Sequence, residues 1–341
     1  MTASSSVPVD ALQGLRDLLS TPKRLALVTH YNPDGDAIGS SLGLMHVLRA
    51  AGHRAQVLLP NSAPAFLRWM PGYDEAMAGD TTRDQCISAI READAVICLD
   101  FNRRDRVGAL EEALRAAPFT VLIDHHQEPE DFAAIPFSDP SACSTSQMVH
   151  DIVEAMGWAE RIGPEAAACL YTGIVTDSGS FRFGSTTPHT MRVAARLMER
   201  GVRITDVHEA IADDNRLDRL RLLGFTLTER MVVLPELATA IISLSLDDLK
   251  RFNYQQGDTE GFVNYGLSMR GIRLAALFIE RPDLVKVSLR SKGQLPVDGL
   301  VRDHFNGGGH RNAAGGQAKE TLADAVTRFR TLLPDFIAQH P

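Results

Sequence analysis

The sequence is poor in cysteine and tryptophan, with four cysteines and two tryptophans among 341 residues. Cys86, Cys98, Cys143 and Cys169 form no CxxC pair, so we expect neither a disulfide framework nor a cysteine-rich zinc site. We interpret them as reduced core thiols, which is typical of a cytoplasmic protein. The chain also has no apolar N-terminal signal segment and no apolar run long enough to span a membrane, so no membrane partner is expected.

An excess of basic residues is also missing. The net charge of −8 argues against a protein that wraps long duplex nucleic acid. The charge is uneven, because residues 1–229 contain 21 Lys and Arg against 31 Asp and Glu, whereas residues 230–341 contain 14 against 12. This asymmetry favours an acidic part that binds metal and a second part that holds an anionic ligand. Chance variation of a solvated surface would give the same asymmetry.

The length and the 44% hydrophobic content predict two domains with buried cores. In residues 1–205, apolar runs alternate with segments of helical spacing, which predicts an α/β domain with a mostly parallel sheet and helices on both faces. The predicted strands are residues 24–28, 55–59, 95–99 and 119–123. The predicted helices are residues 38–51, 107–116, 144–156, 163–176 and 187–200. Residues 1–8 are predicted to be a frayed tail.

The pattern changes in the remaining third of the chain. Residues 206–230 are predicted to form a linker region with a helix at 215–229, and residues 231–341 a smaller α+β domain. Its predicted strands are residues 231–234, 237–243, 272–279 and 285–291. Its predicted helices are residues 260–268, 296–305 and 322–339.

Acidic and imidazole side chains recur where elements of the first domain end. The residues concerned are His30, Asp34, Asp36, Asp100, Asp124, His125, His126 and Asp177. Most of them follow predicted strands directly, and Asp177 follows a helix that should return to the same edge. Taken singly, each could be a turn residue, a helix cap or a surface histidine. Because the carboxyl ends of parallel strands meet at one edge, we expect them to form one site.

This set of donors favours divalent metal ions. Carboxylate oxygens with imidazole nitrogens suit an ion such as Mn²⁺. Four carboxylates and two or three imidazoles are too many for one transition metal, so we predict two ions that share a bridging carboxylate. Such a pair activates a water and neutralises a phosphate during in-line displacement.

Five motifs resemble those of the DHH phosphoesterase family, in its DHH–DHHA1 group. They are THYNPDGDA at 29–37, Leu99-Asp100, the name-giving Asp124-His125-His126, TDSGSFR at 176–182 and FNGGGHRNAAGG at 305–316. The resemblance covers nearly the whole chain. A small departure is Ser178, which stands where threonine is common.

The resemblance implies a role for each residue of the first-domain motifs. One Mn²⁺ would be held by His30, Asp34 and Asp100. The other would be held by Asp36, Asp100, His125 and Asp177, so that Asp100 bridges the two ions. Mg²⁺ or Co²⁺ could take the place of Mn²⁺. His126 would face the scissile phosphate as a donor or general acid, and Asp124 would orient an imidazole.

The second domain supplies most of the candidate substrate-binding residues, which are Gly307, Gly308, Gly309, His310 and Arg290. A further candidate, Arg182, lies in the first domain. Three glycines let the backbone approach a ligand and offer N–H groups to phosphate oxygens, although a flexible loop has the same composition. In the family, residues such as Arg290 and His310 hold the nucleotide end of the substrate. Arg182 is a weaker candidate, since it could simply pair with an acidic residue.

The resemblance implies a manganese-dependent phosphoesterase of the nanoRNase type. Such enzymes hydrolyse short oligoribonucleotides to 5′-mononucleotides by hydroxide attack at two metals, and often remove a phosphate from 3′-phosphoadenosine 5′-phosphate. The alternatives are a cyclic or linear dinucleotide phosphodiesterase, a RecJ-like single-strand exonuclease and, from another class, a catalytically silent nucleotide sensor. Inorganic pyrophosphatases share the first motifs but not the glycine-rich module. The sequence leaves monomer and homodimer open.

Overall fold

The computed structural model describes residues 7–340, which fall into two compact units. The first unit ends at Asp214 and the second begins at Asn215. The helix predicted at 215–229 is present as Leu217–Glu229 and belongs to the second unit. Most of the predicted N-terminal tail, residues 1–6, lies outside the described residues.

The first unit alternates strands and helices, as its sequence pattern predicts. Its strands are β1 (Arg24–Val28), β2 (Arg54–Leu59), β3 (Met77–Ala78), β4 (Ala95–Leu99), β5 (Thr120–Asp124) and β6 (Ile135–Ser138). Its helices are α1 (Val9–Leu18), α2 (Gly35–Ala50), α3 (Gly79–Glu92), α4 (Glu111–Arg115), α5 (Thr145–Ala155), α6 (Pro164–Asp177), α7 (Pro188–Glu199) and α8 (Ile204–His208). The strand order is β3-β2-β1-β4-β5-β6, and every pairing is parallel.

Helices cover both faces of this sheet, because its central strands are apolar on both sides. In β1, Leu25 and Leu27 pack in one core with residues of α2, α5 and α6. The alternate residues Ala26 and Val28 pack in another core with Cys86 of α3. An unbroken apolar run is typical of a parallel strand that is buried on both faces. The predicted α/β architecture is confirmed.

Five elements of this unit are absent from the prediction, namely α1, α3, α8, β3 and β6. Helices α1 and α3 bury few residues, since α1 buries Leu15 and α3 buries Cys86 and Ile90. Strand β3 has two residues, and β6 has four, one of which is Pro136. Short edge strands and polar helices bury too little apolar surface to mark the sequence clearly.

The second unit is a smaller α+β domain, as predicted. Its strands are β7 (Met231–Leu234), β8 (Thr239–Leu244), β9 (Leu274–Glu280), β10 (Val285–Ser291), β11 (Gly308–His310) and β12 (Ala313–Ala318). Its helices are α9 (Leu217–Glu229), α10 (Leu246–Arg251), α11 (Phe262–Ser268), α12 (Val297–Phe305) and α13 (Leu322–Gln339). The strand order is β11-β12-β10-β9-β8-β7, and the β8–β9 pair is parallel whereas the other pairs are antiparallel.

The glycine-rich segment forms a hairpin and not the loop that its composition indicates. Strand β11 pairs antiparallel with β12, and Gly309 has a φ of 147°. A Cβ on Gly309 would lie 2.5 Å from the carbonyl oxygen of Ala313, and a Cβ on Gly307 would collide with that of Gly315. Two of the three glycines are therefore required by close backbone packing within the hairpin.

The described cysteines are free and buried, as expected of core thiols. Burial raises the pKa of the thiols of Cys98 and Cys169 above the ordinary range.

Between residues 7 and 340, none of the helices combines the length and the apolarity needed to cross a bilayer.

Helices α2 and α6 touch backbone to backbone. A Cβ on Gly39 of α2 would lie 2.5 Å from the carbonyl oxygen of Cys169 and 2.8 Å from the backbone nitrogen of Gly173, both on α6. Helix α2 has Asp36 in its first turn and α6 ends at Asp177. The glycine contact therefore fixes how closely these two carboxylates approach.

We expect Gly39→Ala to lower the free energy of unfolding by about 1–3 kcal/mol, because the new methyl group would press on the backbone of α6. Urea denaturation followed by circular dichroism measures this loss. Gly224→Ala is the matched control, since an added Cβ in that helix meets nothing within 4 Å. The control should be neutral or stabilising by up to about 1 kcal/mol. Unchanged stability of Gly39→Ala would contradict the close packing.

Candidate metal centre

The structure gathers the predicted metal ligands at the carboxyl edge of the first sheet. Strands β1, β4 and β5 are neighbours in this sheet, so the segments that follow them lie side by side. His30 and Asp34 follow β1, Asp100 follows β4, and His125 follows β5. Asp34 also caps α2, since its Oδ1 accepts the backbone N–H groups of Asp36 and Ala37. This cap fixes the position of the Asp34 side chain relative to the backbone of Asp36.

Asp100 lies in the middle of the cluster, with its two oxygens facing different histidines. Its Oδ2 is 3.6 Å from Nε2 of His30, and its Oδ1 is 3.6 Å from Nε2 of His125. The side chain is buried, and the backbone φ of 67° lies in the left-handed region. Such a conformation costs energy for a residue with a side chain and is often found at functional sites. This is the geometry of a carboxylate that can bridge two ions.

One ligand group consists of His30, Asp34 and Asp100, with ligand atoms that all lie within 4.8 Å of one another. Nε2 of His30 is 3.9 Å from Oδ1 of Asp34, which is too long for a hydrogen bond. Two ligand atoms at about 2.1–2.2 Å from one ion and 3.5–3.9 Å apart subtend roughly 105–135° at the metal. The observed separations therefore fit two ligands of one ion.

The other ligand group contains Asp36, Asp100 and His125, again within 4.8 Å of one another. Nε2 of His125 is 3.8 Å from Oδ2 of Asp36 and 3.5 Å from Oδ2 of Asp177. Nδ1 of His125 donates to the carbonyl oxygen of Ala142 at 3.2 Å. In the neutral ring this bond keeps the proton on Nδ1, so Nε2 is the nitrogen that would bind a metal.

The carboxylates hold both histidines in their protonated form. Burial disfavours a charged His30, but Asp100 and Asp34 outweigh it and raise the pKa of His30 to about 10. Burial likewise opposes protonation of His125, but Asp177 and three further carboxylates raise its pKa to about 9. A divalent ion would therefore have to displace these protons in order to bind.

The carboxylates also act on one another. Burial raises the pKa of Asp36 well above its ordinary value, and the charges of Asp100 and Asp177 raise it further. Burial raises the pKa of Asp177 to about 6, although His125 partly offsets this effect. Burial acts in the same direction on Asp100, but the contact with His30 and the neighbouring imidazoles lower its pKa well below the ordinary range. The donor set and its excess of negative charge fit divalent cations.

His126 differs from the other two histidines in its partner. Its Nδ1 lies 2.7 Å from Oδ1 of Asp124 and 3.9 Å from Oδ1 of Asp100. Asp124 is fully buried at the end of β5, and its Oδ2 has no hydrogen-bond partner among the described residues. Asp124 therefore orients the ring of His126 through Nδ1, as expected of a carboxylate that supports an imidazole.

The first turn of α5 contributes contacts that the motifs do not contain. The backbone N–H groups of Thr145 and Ser146 donate to Oδ2 and Oδ1 of Asp36 at 2.6 and 2.9 Å. Sequence reasoning predicts a helix beginning at Ser144 but assigns no role to its first turn. The predicted helix start is the sequence signal that could have indicated these contacts, because the N–H groups at a helix N-terminus stabilise negative charge.

The candidate substrate-binding residues are distributed over both units. Arg182 is exposed in the segment after α6, and its Nε donates to the carbonyl oxygen of Gly179. In the second sheet, Arg290 is paired with Ala313, which is paired in turn with His310 on the next strand. Because directly opposed residues share a face, Arg290 and His310 lie on one face of the second sheet, two strands apart.

We expect the affinity of the centre for Mn²⁺ to rise with pH. His30 and His125 have raised pKa values of about 10 and 9, so below pH 9 both imidazoles must lose a proton when an ion binds. The affinity should change about tenfold per pH unit for each proton displaced. Below pH 6 the slope should steepen, because Asp177, with a pKa of about 6, also becomes protonated. Calorimetric titration in buffers of different ionisation enthalpy measures the released protons, and a flat profile from pH 6 to 8 would contradict the assignment.

Comparison with known proteins agrees with this geometry. Residues 24–174 match the DHH family, N-terminal domain, and residues 237–339 match the DHHA1 domain. A Thermus thermophilus protein named bifunctional oligoribonuclease and PAP phosphatase NrnA is 31% identical over 88% of each chain. The cyclic-di-AMP phosphodiesterase PdeA of Listeria monocytogenes is 28% identical over 92% of this chain, which spans 48% of that protein.

A solved structure has the same fold over its whole length. The exopolyphosphatase-related protein of Bacteroides fragilis superposes with a TM-score of 0.93 at 35% identity, covering 99% of both chains. The matched domains, the similarity to the Thermus enzyme and the clustered motif residues lead to one conclusion. The chain belongs to the DHH family of phosphoesterases and carries a DHHA1 domain.

Proposed function

We propose that this phosphoesterase hydrolyses short oligoribonucleotides to 5′-mononucleotides and also removes a phosphate from 3′-phosphoadenosine 5′-phosphate. The observation that carries the proposal is the position of Asp100, which presents one oxygen to each of two ligand groups. The Thermus relative, similar over 88% of each chain, is named for these two activities. A cleavable phosphate ester is the substrate that such a centre suits.

The two ligand groups fit two divalent ions, and we propose Mn²⁺, with Mg²⁺ or Co²⁺ as substitutes. His30, Asp34 and Asp100 would hold one ion. Asp36, Asp100, His125 and Asp177 would hold the other. When bound, such a pair of ions activates a water molecule and neutralises negative charge on the reacting phosphate.

His126 is the proposed proton donor. Nδ1 of His126 lies 2.7 Å from Oδ1 of Asp124, so the ring is held in one orientation. An imidazole of this kind can donate a hydrogen bond to a phosphate oxygen or a proton to the leaving oxygen.

Arg290 and His310 are proposed to bind a phosphate that does not react. Two divalent ions only balance the four carboxylates of the centre, so a substrate with further phosphates needs other donors. Both residues lie in one row of the second sheet and on one face of it. Charge-assisted hydrogen bonds of this type contribute about 1.5–3 kcal/mol each. Backbone N–H groups near Gly307, Gly308 and Gly309, and the exposed Arg182, are further candidates for this role.

A phosphodiesterase of cyclic dinucleotides is the second candidate, because the Listeria relative is 28% identical over 92% of this chain. That relative is about twice as long as the part matched here, so its activity does not transfer with the similarity. The two functions share the same chemistry at phosphorus and differ in the substrate that is bound.

We expect a panel of substrates to separate these functions. The panel contains RNA of 2 to about 24 nucleotides, 3′-phosphoadenosine 5′-phosphate and cyclic di-AMP, each assayed with Mn²⁺ by chromatography of the products. Dinucleotides should react fastest and give 5′-mononucleotides, because a short substrate can be held at both ends. Asp100→Asn, which removes the bridging charge, serves as the control for contaminating nucleases. Equal or faster cleavage of the longest RNA, a preference for cyclic di-AMP or an absence of turnover would each contradict the proposal.

We expect His126→Ala to lower kcat by about 10²–10⁴-fold while the protein still binds two ions, because the change removes a proton donor and not a ligand. Turnover of a dinucleotide and elemental analysis of the purified variant measure the two effects. His46→Ala is the matched control, since that half-buried histidine contacts the carbonyl oxygen of Pro71. Loss of metal from His126→Ala would instead identify His126 as a ligand.

A further inference from the structure

Thr145 connects Asp36 and Asp100, the two buried carboxylates of the ligand group that also contains His125. Its hydroxyl Oγ1 donates to Oδ1 of Asp100 at 2.9 Å, across 45 residues of sequence. Its backbone N–H donates to Oδ2 of Asp36 at 2.6 Å. The side chain is fully buried, and none of the family motifs contains it. A buried hydroxyl placed between two acidic ligands calls for a physical explanation.

The hydroxyl contacts Oδ1 of Asp100, the oxygen on the side of His125. Oδ2 faces His30, whereas Oδ1 is 3.6 Å from Nε2 of His125 and makes the contact with Thr145. A bridging carboxylate must keep one oxygen in each ligand group, and rotation about its Cβ–Cγ bond would destroy that arrangement. A hydrogen bond to Oδ1 opposes this rotation and satisfies a buried acceptor.

The backbone and the side chain of Thr145 are both held in place. It is the first residue of α5, where its backbone bond to Asp36 ties the helix to the centre. A β-branched side chain has few χ1 rotamers, so the direction of its hydroxyl is limited by the helix. The preceding Ser144 caps α5 by accepting the backbone N–H of Gln147, which holds this first turn in place.

We propose that Thr145 is a positioning residue whose hydroxyl holds Asp100 in its bridging orientation. The hydroxyl thereby gives the divalent ion between Asp36 and His125 its affinity. The inference rests on the two-ion centre of the proposed function. It adds a residue outside the motifs, which acts on the metals through Asp100 and does not touch them.

The test replaces the hydroxyl at nearly constant volume. In Thr145→Val, the ion held by His30 and Asp34 should bind about as in the unsubstituted protein. The ion between Asp36 and His125 should bind about 10–100-fold more weakly, as is usual when a hydrogen bond to a metal ligand is lost. Thr145→Ser keeps the donor and should restore most of the affinity. Thr145→Ala removes the donor without adding bulk and provides the same comparison where the valine variant folds poorly.

Two measurements that do not depend on turnover report the outcome. Calorimetric titration with Mn²⁺ gives the number and affinity of the ions. Electron paramagnetic resonance at two equivalents of Mn²⁺ distinguishes a spin-coupled pair from isolated ions, and the valine variant should show the isolated signal. Thr172→Val is the matched control, because that buried hydroxyl donates within α6 to the carbonyl oxygen of Ala168 at 2.8 Å. The control should bind both ions as before.

The result separates the inference from the proposed function. If the unsubstituted protein binds two coupled ions and Thr145→Val does the same, the hydroxyl is a packing feature and the inference is overturned. If the serine variant behaves like the valine variant, the hydroxyl is not the cause and the inference is also overturned. If the unsubstituted protein never binds a second ion, the two-ion centre fails, and the inference fails with it.

Discussion

Repulsion between buried carboxylates is the constraint on which the first unit depends. Asp36 and Asp100 are almost fully buried within reach of Asp177. Burial raises the pKa of both Asp36 and Asp177, and repulsion from the Asp100 carboxylate raises both further. A protein tolerates such a cluster only when other groups offset the charge. Protonated imidazoles do so before metal binds, and divalent cations would do so more completely. The repulsion that destabilises the cluster would therefore favour the binding of cations.

The fold opposes this repulsion with rigid elements. Neighbouring parallel strands present their carboxyl ends side by side, and the glycine contact between α2 and α6 brings Asp36 and Asp177 together from opposite directions. The first turn of α5 then supplies N–H groups to Asp36. Each device uses backbone, which cannot rearrange as side chains do. In the second unit, the sheet itself places Arg290 and His310 in one row across three strands.

The sequence predicts the elements whose apolar pattern is strong and the ligands that follow strands. Strands β1 and β4 are short apolar runs, and Asp100 comes directly after one of them. Helices α1 and α3 are absent from the prediction, because few of their residues are buried. The hairpin at Gly308 looks like a loop, since a tri-glycine has no side chains to mark a strand. Thr145 escapes prediction because its role depends on a contact across 45 residues and not on a local pattern.

The scatter of the ligands along the chain has a consequence for biosynthesis. Asp177 follows His30 by 147 residues, and ribosomes add roughly 5–20 residues per second, so about 7–30 seconds separate the two. During that interval the emerging chain exposes acidic loops before α6 has been made. The proposed two-ion centre could be completed only after this helix leaves the ribosome. Loading with metal would then be a late event in the maturation of the protein, and a chain that terminates before α6 would lack Asp177, one proposed ligand of the ion between Asp36 and His125.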